Sequence, residues 1–233
     1  MSATALLVFA RCAGFAFRAP GISYPGVPPM LRAGLALFLT IAMLGAVRGS
    51  VHLDGAPLVI ALALEFLIGT AIGIGASALY DGAYAGGRAV DDYVGVKAIA
   101  PSISLVAPSG FGRIWSLGFT GAFFLTGAYR PTILAFAGGF ARMPPGSMPS
   151  AHAWLGYASA LAVTLLRVAL GVAGPAIAAG FLVQLALGAL SRTIPRFGSL
   201  TLAFPLVFGA ALVASMLALP ALVRHAFPML LSP

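Results

Sequence analysis

Five long apolar blocks dominate this chain: Leu31 to Val47, Leu58 to Tyr80, Ile114 to Ala141, Trp154 to Leu190, and Leu200 to Val223. Each approaches the roughly 20 residues that a helix needs to cross a bilayer. The expected fold is therefore all-α and membrane-associated. Composition agrees, with 61% of residues hydrophobic and only 8% charged, against about a quarter charged in an ordinary soluble domain. Mean hydropathy is +1.04. So little polar surface cannot coat a water-soluble globule of this size, and a membrane or a large protein assembly must cover the excess.

Proline and glycine punctuate the blocks. The connectors Pro20 to Pro29 and Met143 to Pro149 cannot continue a helix. The fourth block exceeds one crossing, and Gly171-Val172-Ala173-Gly174-Pro175 near its middle predicts a helical hairpin or a sharp bend, because proline removes a donor and clashes with the preceding turn. Before the blocks, the run Ala3 to Ala10 is cut short by Arg11 and has no basic stretch ahead of it, so it reads as a retained first helix rather than a signal peptide. Residues 81–112 differ in kind: they hold Asp81, Asp91, Asp92 and the lone lysine, Lys97, then a small-residue stretch broken by Pro101 and Pro108. That composition suits an irregular loop packed inside protein. The expected organisation is one domain over 1–233, with N-terminal helices in 1–80, the loop in 81–112, and C-terminal helical hairpins in 113–233.

The formal charge of +8 would suggest nucleic acid if the basic residues clustered. They are spread out, mostly where apolar runs end, as membrane or assembly anchors are. Alternating the blocks across a bilayer divides the arginines too evenly to orient the chain. Cys12 is the single cysteine, so an intrachain disulfide and a thiolate cluster are both excluded. No internal repeat of fixed period is present.

Enzyme chemistry finds no footing. Arg130-Pro131, Pro149-Ser150-Ala151-His152 and Ser191-Arg192 resemble the lipid-phosphate acid phosphatases, whose chemistry needs a histidine nucleophile oriented by a carboxylate. Phe123 stands where those enzymes carry a lysine, Gly198 where they carry a histidine, and no Asp or Glu follows Asp92. His52, His152 and His225 are scattered, without spacing that would place two on one helix face. Glu65 is different, because it sits inside Leu58 to Tyr80, where a carboxylate is costly unless neutral, paired or facing water. A structural pair with an arginine of another helix is favoured over a proton relay, which would need further acidic or histidine groups at that depth. Gly69 with Gly73, and Gly82 with Gly86, stand at helical spacing and let backbones approach closely.

A resemblance runs along the chain in order. Phe17-Arg18-Ala19-Pro20-Gly21-Ile22-Ser23 and Val27-Pro28-Pro29-Met30-Leu31-Arg32 are similar to the opening of the flagellar protein FliR and its injectisome counterpart SctT. Glu65-Phe66-Leu67-Ile68-Gly69 with Gly73 resembles that family's glutamate-to-glycine helix, and Ala85-Gly86-Gly87-Arg88-Ala89-Val90-Asp91-Asp92-Tyr93-Val94-Gly95 its Ala-Gly, acidic, Gly segment. Phe123-Phe124-Leu125-Thr126-Gly127, Met143-Pro144-Pro145-Gly146, Leu187-Gly188 through Arg192-Thr193-Ile194-Pro195-Arg196, and Phe204-Pro205-Leu206 follow in the family's order. Two positions depart from it: Ala100 stands where the family has an aspartate before proline, and Ala128-Tyr129 where it has a histidine.

The resemblance implies a core subunit of a type III protein-export gate in the bacterial inner membrane, at a flagellar basal body or injectisome base, with the flagellar branch slightly closer. Implied partners are FliP-like and FliQ-like gate subunits, FlhB/SctU-like and FlhA/SctV-like export proteins, membrane lipid and unfolded export substrates; no cofactor, nucleic acid or catalysis is implied. It also implies a pore plug in the loop that holds Gly95, Val96, Lys97, Ala98, Ile99, Ala100, Pro101, Ser102, Ile103, Ser104 and Leu105. Arg192 and Pro195 join Glu65, Gly69 and Gly73 as expected buried polar or packing positions. The alternative is a small-molecule permease, whose broken helices and midplane polar groups could look similar.

Overall fold

The computed structural model describes residues 2–23, 27–45, 47, 50–95, 110–194 and 200–226, with the side chains of 200, 201, 223, 225 and 226 excepted. Among these the chain is all-α, with seven helices and no strand. The helices are α1 (Ala3–Arg18), α2 (Pro29–Leu44), α3 (Gly55–Val94), α4 (Gly110–Leu125), α5 (Tyr129–Arg142), α6 (Ala151–Ser191) and α7 (Leu200–Ala226). Three contain stretches long and apolar enough to cross a membrane: α3, α6 and the span Leu202–Leu222 of α7.

Local chemistry sets the helix ends. Ser2 caps α1 by accepting the Ala5 N–H at 3.4 Å, and Ala19-Pro20 stops it. Pro29 opens α2 in the first turn, where its missing N–H costs nothing. Gly95, at φ +81°, ends α3 by donating its N–H to the Asp91 carbonyl at 3.1 Å, a left-handed C-cap that favours glycine. Gly127, at φ +75°, divides the third apolar block into α4 and α5.

Two expectations are corrected. Residues 81–94 are the last turns of α3 rather than loop, because helical spacing buries Ala83, Val90, Asp91 and Val94 together. A Cβ at Gly86 would crowd the Ala169 carbonyl and Val172 of α6, and one at Gly87 the Phe111 and Gly112 backbone of α4. Those glycines are thus the seats of neighbouring helices. The hairpin expected at Gly171 to Pro175 is also absent, since α6 runs through Pro175 unbroken for 41 residues. An interior proline costs about 3 kcal/mol. The helix survives it because Gly174 and Pro175 are exposed while Val172, Ala173 and Ala176 are buried, and that packing keeps the helix continuous.

The chain forms two compact units. The first comprises 1–78 and 127–162, the second 79–126 and 163–233, so α3 and α6 each contribute to both. The core of the first gathers Val8, Cys12 and Phe15 of α1, Leu39 and Met43 of α2, and Phe136 and Phe140 of α5, with Phe15 stacked on Phe136 at 4.3 Å. The core of the second gathers Val90 and Val94 of α3, Phe111 of α4, Ala173 and Ala176 of α6, and Val207 and Ala211 of α7.

Candidate functional site

The centre of the first unit is a buried ion pair. Arg11 of α1 and Glu65 of α3 are 0% and 1% exposed, deep enough that neither charge could stand alone. The Arg11 guanidinium donates from Nε to Glu65 Oε2 at 2.5 Å and from Nη2 to Oε1 at 2.9 Å, the parallel fork that matches guanidinium to carboxylate. Its Nη1 donates to the Met143 carbonyl at 2.8 Å, and the guanidinium lies 4.6 Å from the centre of the Phe140 ring. Glu65 Oε1 also accepts the Gly146 N–H at 2.7 Å. One ion pair therefore ties α1 and α3 to the connector between α5 and α6.

Glycine makes that pairing possible. A Cβ at Gly69 would overlap the Arg11 carbonyl, one at Gly14 the Phe66 carbonyl, and one at Gly73 would press on Phe15 and Arg18. The α1 and α3 backbones thus approach closely along the face that carries Arg11 and Glu65. At such separation the arginine and glutamate side chains meet without stretching, and their backbones shield them from water. Gly146 sits at φ +85°, a left-handed conformation that aims its N–H at Glu65 at little steric cost. Beside the pair lies a recess of about 390 Å³, lined by Leu53, Pro57, Ile60, Ala61, Leu64 and Met148 with Glu65 and Gly146.

Further along α3, Tyr157 of α6 donates its hydroxyl to the Ala71 carbonyl at 2.7 Å, in space that a Cβ at Gly75 would fill. The second unit has its own buried carboxylate. Asp91, 3% exposed, accepts the Phe111 N–H on Oδ1 at 3.3 Å and the Gly95 N–H on its backbone carbonyl at 3.1 Å. A single residue therefore fastens the end of α3 and the start of α4, the two points between which residues 96–109 run.

The structure thus brings Glu65, Gly69 and Gly73 together on the α1-facing side of α3. It does not bring Arg192 to them: Arg192 lies exposed in the turn after α6, which corrects the expectation that it is buried. The physical reason is that α6 ends at Ser191, so the next residue is free of the packed face. Pro195 and the plug residues Val96 to Leu105 lie outside the described residues, and Gly95 is the C-cap of α3. Sequence reasoning missed Arg11, Gly14 and Asp91 as site residues. The signal for Arg11 was present as a charge interrupting the run Ala3 to Ala10, but nothing in sequence selects it over the other arginines as the partner of Glu65. Among the described residues no three His, Cys, Asp or Glu side chains gather as metal ligands do.

A family model described as bacterial export proteins, family 1, matches residues 2–230. No individual curated protein matches the sequence.

Proposed function

The chain belongs to family 1 of the bacterial export proteins, and from that premise we propose that it is a core subunit of a type III protein-export gate. In this reading it assembles with FliP-like and FliQ-like subunits in the inner membrane, beside FlhB/SctU-like and FlhA/SctV-like proteins, and borders the path of unfolded substrates. It supplies framework and has no catalytic step. The Arg11–Glu65 pair serves as a rigid joint that fixes α1 and α3 to the 143–146 connector.

One observation carries the assembly reading. Helix α2 has 16 residues, or about 24 Å at 1.5 Å per residue, short of the roughly 30 Å of bilayer hydrocarbon. Its inner face packs Ala36, Leu39 and Met43, while Met30, Leu31, Leu37, Phe38 and Ile41 are exposed, Met30 by 86%. A helix too short to span, yet apolar on its outer side, fits burial against neighbouring protein subunits. Both Glu65 oxygens are engaged by Arg11 and Gly146, which leaves the permease reading without its obvious intramembrane ligand group.

The test is co-expression with FliP-like and FliQ-like subunits, followed by affinity capture in mild detergent. A Leu37→Glu, Ile41→Glu double variant should retain helical content and lose the partners. Wild-type chain that stays monodisperse alone and captures neither subunit would overturn the gate. Residues 95–105 are proposed as the plug of that gate: a deletion within 98–107 should leave the complex assembled and the membrane leaky to ions, and unchanged permeability would remove the assignment.

A further inference from the structure

Positive charge is divided unevenly along the chain. Residues 1–92 hold five arginines and all five carboxylate side chains, whereas residues 93–233 hold eight Lys and Arg and no Asp or Glu, so the whole formal charge of +8 lies in the latter. The second unit holds Asp81, Asp91 and Asp92 on α3, but α6 and α7 carry no carboxylate side chain of their own, so the arginines of those two helices need a counter-charge from outside them.

Helices α6 and α7 show where. No charged residue occurs in 168–191 or in 200–223. Arg167 and Arg192, at the two ends of the first stretch, are both exposed, and about 37 Å separates them along the helix axis at 1.5 Å per residue. That length exceeds the roughly 30 Å hydrocarbon layer and stays within the 40–45 Å that includes the headgroups, so where this stretch crosses a bilayer its two end guanidiniums can snorkel to phosphate level. The two helices are antiparallel neighbours: a Cβ at Gly180 would stand 3.3 Å from Val207, and one at Gly171 would stand 3.0 Å from Leu222. Arg167 lies one turn beyond Gly171 and Arg224 two residues beyond Leu222, toward the same end of the pair. Their heights differ by only about 3 Å. Arg224 is exposed as well, and among the described residues neither side chain has a hydrogen-bond or ion-pair partner.

We propose that Arg167 and Arg224 form a headgroup site for an anionic membrane phospholipid at one end of the α6–α7 pair. The guanidiniums are strong, geometrically matched donors to phosphate oxygens, and the charge-free helices below them take the acyl chains. A zwitterionic lipid offers the same phosphate but brings its own cation, so the site prefers a lipid of net negative charge. This inference rests on the helix pair alone and not on the export reading.

The experiment uses the full chain in a neutral detergent doped with equal amounts of phosphatidylglycerol and phosphatidylcholine, with retained lipid counted by native mass spectrometry. Wild type should retain phosphatidylglycerol in preference. Arg167→Gln with Arg224→Gln should lower that retention about ten- to thirtyfold, Arg167→Lys with Arg224→Lys should keep most of it, and Arg130→Gln with Arg142→Gln should leave it unchanged. Circular dichroism of each variant confirms retained helix. Equal retention by wild type and the double glutamine variant overturns the site. So does a double glutamine variant that keeps its lipid and instead loses co-purified protein subunits, which would assign these arginines to a partner's carboxylates.

Discussion

The two buried carboxylates of α3 solve the same problem by different means. Glu65 is neutralised by a side chain from another helix, Arg11, and the pair then collects the Met143 carbonyl and the Gly146 N–H. Asp91 meets the Phe111 backbone N–H at the start of α4, where a helix N-terminus carries partial positive charge. The first arrangement joins parts of the chain 54 and 81 residues apart, and the second joins residues 20 apart. A long-range pair is therefore a joint of the tertiary structure, while a short-range acceptor is a clamp on one connection. Breaking the joint should disturb the whole first unit, and breaking the clamp should disturb mainly the ends of the segment that it closes.

The largest expected effect is at Glu65. Glu65→Leu strands a buried guanidinium, which costs about 3–5 kcal/mol; thermal unfolding in detergent should show the loss directly. Glu65→Gln keeps an acceptor oxygen for Gly146 and should cost less. A Glu65→Leu, Arg11→Leu double variant should recover part of the loss, since replacing both partners removes the stranded charge. If the double variant is no better than Glu65→Leu alone, the energy does not reside in the pair.

The next effect is steric. Gly69→Ala places a methyl against the Arg11 carbonyl, and separating the two backbones should cost about 1–3 kcal/mol. Gly121→Ala in α4, where a Cβ meets nothing within 4 Å, should instead be neutral or slightly stabilising, because alanine is the better helix former. Similar losses at both would show that backbone approach is not what Gly69 provides. For the clamp, Asp91→Ala should cost about 1 kcal/mol, the size of a lost helix N-cap. Its signature is local: proteolysis within 96–109 should quicken while the first unit keeps its protection.

The last effect is read as a labelling rate rather than a stability and concerns Cys12, 0% exposed beside Arg11. Burial pushes its thiol up to about 11, opposed by a hydrogen bond with Thr40 and by the Arg11 charge. Loss of thiolate alone should slow iodoacetamide labelling at pH 8 about a hundredfold relative to the unfolded chain. Glu65→Leu should restore labelling if the joint holds α1 in place, and Asp91→Ala should not.

Periodicity and composition made the helices legible because they depend on local spacing. The long apolar runs gave α3, α6 and α7, whereas Ile114 to Ala141 read as one block and the positive φ of Gly95 and Gly127, which sets two helix ends, appears only in the structure. Residues 81–94 read as loop because their charges end the apolar run and a small-residue stretch broken by prolines follows them. Only packing revealed that Asp91 is inside and that Gly86 and Gly87 seat two other helices. Pro175 read as a break because a proline disrupts an isolated helix, whereas here its buried neighbours Val172, Ala173 and Ala176 keep α6 continuous.

Sequence by itself determined that Glu65 needs company, since an apolar run cannot dissolve a carboxylate. It determined the positive surplus after residue 92, because charge is a sum over residues and needs no coordinates. It could not determine that Arg11 supplies the company, or that Met143 and Gly146 join it. Those choices fall to tertiary structure, because which of several arginines reaches a buried carboxylate depends on how closely two backbones can approach. That separation is set jointly by Gly14, Gly69 and Gly73, residues far apart in sequence whose missing side chains matter only once α1 and α3 lie against each other.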